Sequence, residues 1–196
     1  MKAYFLQRLV SYLIDFFIVI FIVTGITFFI PTSDTYKEAY KEANEISDLY
    51  FNGEISNSEY LSRYGDVSYT MAKETIVVTV INLVVTIAYF GSYSYYMNGQ
   101  TIGKKIMKIR VVNKDNSNVG HGILIFRTAV IYGVIESIIS LIILQLISSD
   151  MYLYAITPLE ILQYIFVLIS LFMIMFRKDG KGLHDILFKT KVVSLK

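Results

Sequence analysis

Charged residues are nearly absent from four windows of the chain and crowded between them. The windows run Leu9–Ile30, Thr75–Tyr96, Gly122–Ile147 and Pro158–Phe176, each of 19 residues or more. At about 1.5 Å per residue, a helix of that length crosses a hydrocarbon core of roughly 30 Å. The pattern predicts an all-α integral membrane protein with four transmembrane helices. Thr157, Pro158 and Glu160 give the fourth span a start, with Thr157 as N-cap, proline at the first helical position and Glu160 closing a capping box. The first run is longer than a signal-peptide core and no A-x-A-like site follows it, so it is expected to stay as a span.

The stretch Pro31–Glu74 has another rhythm. Tyr36, Tyr40, Ala43 and Ile46 fall at helical spacing. Thr35 with Glu38 forms one capping box, opening a helix to about Phe51, where Gly53 suits a stop. Ser56 with Glu59 forms a second, opening a short helix. A helical hairpin inserted into a single membrane domain of residues 1–196 is the expectation; a solvated spacer is the alternative.

In the connection after span two, Ile102, Ile106 and Ile109 share a helical face, while Lys104, Lys105 and Lys108 lie off it. That predicts a short amphipathic helix among inner-leaflet headgroups. Residues 109–112 and 190–193 alternate and are rich in β-branched side chains, so they are expected to pair as two strands.

Charge orients these elements. Residues 31–74 carry Lys37, Lys41, Arg63 and Lys73 against nine acids. The connection between spans two and three carries Lys104, Lys105, Lys108, Arg110 and Lys114 against Asp115 alone. The tail adds Arg177, Lys178, Lys181, Lys189, Lys191 and Lys196. The positive-inside rule then puts the N- and C-termini and the strand pair in the cytoplasm, and the hairpin outside. Tyr93, Tyr95 and Tyr96 inside, and Tyr152 and Tyr154 outside, are expected at the interfaces.

Ionisable groups inside the spans narrow the chemistry. An aspartate at the helix centre costs roughly 2.5–3.5 kcal/mol on insertion scales. Asp15 is such a residue. Arg8 lies on the same face but about 10 Å away along the axis, so the partner of Asp15 is expected on another helix. The candidates are the stripe around Asn82 and Thr86, or Glu136. Arg8 itself is expected at the cytoplasmic interface, near His184 and Asp185. Glu136, near the middle of span three, needs either a partner from another helix or a proton held by burial. Thr75, Thr79, Asn82, Thr86, Tyr89 and Tyr93 form one polar stripe along span two. Such a stripe suits a hydrated path and interhelical packing equally.

The chain has no cysteine, and His121 and His184 show no ligand spacing, so no metal or cofactor is expected. GQTIGKK lacks P-loop spacing, and there is no G-x-S-x-G or H-E-x-x-H, so no enzyme is expected. The cytoplasmic basic residues fit topology and anionic lipid better than nucleic acid.

Arg8, Asp15, the block GQTIGKKIMKIRVV and the tail GLHDILFKTKVV together resemble the RDD family of membrane proteins. Arg8 matches that family's arginine and Asp15 its first aspartate; the second is carried onto Asp185. The resemblance covers both ends and the centre of the chain, and omits Pro31–Glu74. It implies a bacterial inner or plasma membrane protein without a settled general activity; transport, including sodium–proton exchange, and accessory roles are both proposed for members.

Two functions are therefore expected in competition. One is transport of a small cation or proton through a polar interior, carried by Arg8, Asp15, Asn82, Glu136 and Asp185. The other is a non-catalytic scaffold or accessory protein that binds through the hairpin or through a cytoplasmic platform. Gln100, Gly103, Lys104, Lys105 and His184 belong to that platform or to the headgroup layer. The implied partners are the bilayer, with anionic lipid at its cytoplasmic face, and beyond it a protein partner or a second copy of the chain.

Overall fold

The computed structural model describes residues 1–195; Lys196, counted above among the basic tail residues, lies outside them. Helix α1 (Phe5–Thr27) is the first span, and its 23 residues give about 35 Å of helix. A hairpin of α2 (Asp34–Phe51) and α3 (Asn57–Glu74) follows. Its cap is Ser33 rather than Thr35: the Ser33 hydroxyl accepts from Tyr36 N at 3.1 Å and donates to Glu74 at 2.6 Å, fastening both ends of the hairpin. Ser56 caps α3 as expected, accepting from Glu59 N. α3 is not short, because it runs on to the next span and packs along most of α2. The buried face of α2 is Ala39, Ala43 and Ile46, against Val67. Tyr36 and Tyr40 are instead displaced to the flank, where their rings stack. Alanine lets the backbones approach; tyrosine at the centre would hold them apart.

The second span is continuous over Ile76–Tyr96. It comprises α4 (Ile76–Thr86), a π-helical stretch (Ile87–Tyr93) and α5 (Ser94–Tyr96). The widened turns put three consecutive residues, Tyr89, Phe90 and Gly91, on the buried side. Gly91 is pressed against Ile125, and Phe90 stacks on Tyr132 at 3.8 Å.

The expected amphipathic helix shortens to α6 (Ile102–Ile106). Ile102 and Ile106 are exposed, whereas Ile109 is fully buried because the chain has already turned into β1 (Ile109–Asn113). β1 pairs antiparallel with β2 (Thr190–Ser194), in agreement with the expected pairing. The N-terminus adds a further rung, with Ala3 N bonded to Val192 O and Ser194 N to Met1 O. Ala3, Ile109, Val111, Val119, Leu124 and Val192 close a small core there.

The third apolar run is not one helix. It breaks into α7 (His121–Ile131) and α8 (Val134–Leu146), bent by 65°. Gly133 adopts φ +68° at the corner. The carbonyls released by the break, Val130 and Ile131, accept from Gln163 at 3.2 and 3.3 Å, so they stay satisfied among apolar side chains.

The fourth span, α9, starts at Ser149 rather than Pro158 and runs to Phe176. Its early turns bury Tyr152 and Ile156 against Leu144 and Tyr69. That packing carries the helix through Pro158, and Thr157 bonds back to Leu153 O instead of capping. Glu160 therefore has no capping role, and Tyr152 is a packed residue rather than an interfacial one.

A short helix, α10 (Leu183–Leu187), leads into β2. The segments α6–β1 and α10–β2 correspond residue for residue at a constant offset: Gly99 with Gly180, Lys104 with Asp185, Lys108 with Lys189, Val111 with Val192. Both glycines and both of the lysines before the strands have positive φ. Val111 pairs with Val192 at the centre of the ladder, so the two copies meet about a local two-fold axis.

Among the described residues three helices are long and apolar enough to cross a membrane, four if the bent pair counts as one. Both chain ends lie at the sheet end of this bundle, and the hairpin lies at the other.

Gly133→Ala should destabilise the protein by about 1–2 kcal/mol, the cost of a left-handed non-glycine residue. A Cβ there meets nothing closer than 3.6 Å, so the penalty is the backbone's alone. Thermal unfolding in detergent checks this against Gly25→Ala, a helical position with open space around it.

Candidate functional site

The charged residues converge at the sheet end. Asp185, in the first turn of α10, is completely buried. Its carboxylate accepts from Arg8 Nη2 at 2.8 Å and from Arg127 Nη2 at 3.0 Å. Gly182 N adds a bond at 3.1 Å, and Thr190 Oγ1 lies at 3.4 Å. Arg8 also donates to Gly180 O at 2.7 Å and reaches His184 Nε2 at 3.3 Å. One carboxylate thus ties α1, α7 and the tail together.

Burial alone would raise the Asp185 carboxyl, but Arg8 and Arg127 hold it well below the usual carboxylate range. His184 is pushed down to about 3, first by burial and then by Arg127. It is therefore neutral. Arginine can only donate, so Nε2 accepts from Arg8, and Nδ1–H donates to Ser170 Oγ at 2.6 Å. The 3.4 Å approach of His184 Nε2 to Asp185 is a proximity and not a salt bridge.

Asp15 forms a second tie. Its Oδ1 accepts from Tyr89 Oη and from Gly103 N, each at 2.7 Å, and its Oδ2 accepts from Thr101 Oγ1. Ile102 N bonds to Tyr89 Oη at 3.2 Å. Asp15 and Tyr89 together satisfy the opening amides of α6 from outside that helix. Gly103 is required because a Cβ there would collide with Ser11 O and lie 2.9 Å from the Asp15 carboxylate.

Asp15 therefore meets the expected stripe of span two through Tyr89, one turn beyond Thr86, and not through Asn82 or Thr86, and it does not meet Glu136. The polar stripe of span two divides: Thr75 and Thr79 line one pocket, Asn82 and Thr86 line a larger cavity, and Tyr89 serves Asp15. Asn82 is exposed on the span. Glu136 bonds along its own helix, to Ser140 at 2.8 Å. With Glu160 it lines a pocket of about 140 Å³ near the hairpin.

Of the platform residues, Gly103, Lys104 and His184 join the charged cluster. Gln100 instead donates to Ile109 O at 2.9 Å and braces the loop on β1. Lys105 is exposed. Lys104 is not free among headgroups as expected: it is partly buried and turned inward, lining the larger cavity with Arg8, Asp15 and Arg127. Burial first, and then Arg127, push its ammonium down to about 8. Among the described residues no group of three or more His, Asp or Glu is placed to hold a metal.

Arg127 and Thr101 were not singled out from sequence as parts of this site. Arg127 carried a usable signal, since it is a cation inside an apolar run just as Asp15 is an anion inside one.

The family model for the RDD family matches residues 2–189. The chain belongs to the RDD family. No curated protein and no solved structure matches it. RDD membership and the apolar helices together point to a membrane protein. In this RDD protein Arg8, Asp15 and Asp185 sit in two adjacent ties and do not form a single triad.

Asp185→Asn leaves Arg8 and Arg127 facing a neutral amide, and should cost about 3–5 kcal/mol. Thermal unfolding checks this, with Lys105→Ala as a surface control. The histidine gives a pH test. Between pH 6.5 and about 3 the unfolded chain takes a proton at His184 that the folded chain refuses. Stability should therefore fall as pH drops below 6.5, by about 2 kcal/mol at pH 5 from this residue. The pH dependence of denaturant unfolding should be shallower in His184→Gln.

Proposed function

We propose that this protein is a non-catalytic membrane scaffold of the bacterial cell membrane, with both termini and the sheet in the cytoplasm and the α2–α3 hairpin outside. One observation carries this reading: Asp15 inside the first span and Asp185 just beyond the last one are both consumed as structural ties. Each Asp15 oxygen already accepts a hydrogen bond, and Asp185 is shared by two arginines. A carrier carboxylate needs to be exchangeable; these hold helices together.

The hairpin suits the binding surface. It has its own core, and Glu38, Glu42 and Glu45 are exposed on α2. With nine acids against four bases over residues 31–74, it favours a basic partner surface.

A second reading is movement of a proton or small cation, and it rests on Glu136 and Glu160. Both line the small pocket and also the larger cavity, which continues to Asp15 and Lys104.

Under the scaffold reading, Glu38→Lys with Glu42→Lys should abolish crosslinking of the hairpin to its partner in membranes while the melting temperature is unchanged. A partner retained at full yield by this variant, or no specific partner of the unaltered chain, sinks the reading. Proteoliposomes test the alternative. A pH or sodium gradient that dissipates faster with protein, and no faster with Glu136→Gln, would favour transport.

A further inference from the structure

A cavity of about 770 Å³ runs up the bundle between walls supplied by α1 and α9. Its sides are mainly apolar, with Phe16, Ile20, Val167 and Leu171 among them, each more than a third exposed in the isolated chain. Its sheet end is polar and cationic. Arg8, Lys104 and Arg127 all line it there, while the two nearby carboxylates, Asp15 and Asp185, already accept several hydrogen bonds each.

Two of these cations are underused. The Arg127 side chain is 9% exposed, yet its buried Nε has no hydrogen-bond partner. Lys104, partly buried, makes no hydrogen bond or ion pair among the described residues. A buried donor without an acceptor is costly, and three cations face two carboxylates. Lys104 also occupies the position that corresponds to Asp185 in the other copy of the helix–strand motif. Asp185 has two cationic partners and Lys104 has no anionic one bonded to it.

We propose that this cavity binds an anionic phospholipid, its phosphate held between Lys104 and Arg127 and one acyl chain lying along α1 and α9. Charge complementarity selects the head: a phosphate oxygen supplies the acceptor that the Lys104 ammonium lacks, beside the Arg127 guanidinium that also lines the cavity. The apolar walls select a chain rather than a free anion. From Ser170 at the charged end to Glu160 at the far end is ten residues of α9, about 15 Å, which matches the span of an acyl chain. Of the acids that line the cavity, Glu136 and Glu160 stand at that far end, away from the head, while Asp15, at the head end, is already occupied by Tyr89, Thr101 and Gly103.

The test uses the full chain in nanodiscs of dioleoyl phosphatidylcholine doped with dioleoyl phosphatidylglycerol, with retained lipid counted by native mass spectrometry. The phosphatidylglycerol should be retained over the phosphatidylcholine, and Lys104→Met should weaken retention about tenfold. Val167→Trp, which fills the wall and leaves every charge in place, should also weaken it. Inorganic phosphate added at millimolar concentration should not displace the lipid. Equal retention of both lipids, or retention unchanged in both variants, overturns the proposal. Displacement by inorganic phosphate overturns the lipid assignment in favour of a free-anion site. None of these outcomes touches the hairpin, so the scaffold reading stands or falls separately.

Discussion

A carboxylate placed between two guanidinium groups, out of contact with water, holds the sheet end of this protein together. Asp185 alone would be expensive to bury, and so would Arg8 or Arg127; the three are tolerable only in company. Because the arginines come from different helices and the aspartate from the tail, the electrostatic requirement is also a geometric one. α1, α7 and α10 must meet at one point. His184 then has little freedom left: Arg8 and Ser170 fix its tautomer, and burial keeps it uncharged.

The second tie solves a different problem with the same kind of residue. A five-residue helix has mostly unsatisfied ends. Asp15 and Tyr89 reach it from two spans and supply the acceptors its opening amides need. The cost of Asp15 in an apolar run is thereby offset by a short helix that would not hold alone. The π-helical stretch belongs to this arrangement, since it brings Tyr89 to Asp15 while Phe90 faces Tyr132.

Apolar periodicity made the spans legible, and charge at the chain ends made the meeting of Arg8 with the tail legible. The strand pair could be read from Val111–Val112 and Val192–Val193, because alternation is a local signal. What escaped was set by tertiary neighbours. Nothing local tells Pro158 that its helix has already begun, since that depends on Tyr152 and Ile156 finding Leu144 and Tyr69. The break at Gly133 hides inside an apolar run because Gln163, distant in sequence, satisfies the carbonyls it releases. The company of Asp15 was legible only in part for a related reason: Tyr89 of the span-two stripe reaches it, but Thr101 and Gly103 lie in the block GQTIGKK, which by pattern alone reads as a surface helix.

Arg8 and Asp185 lie 177 residues apart in the chain. At a synthesis rate of roughly 5–20 residues per second, about 10 to 35 seconds separate their emergence from the ribosome. Throughout that interval α1 carries an arginine whose carboxylate has not yet been made. The Asp15 tie can form as soon as α6 is made, but the Asp185 tie cannot. That tie waits for the last segment, and a chain that stops short of α10 leaves two buried cations without their anion.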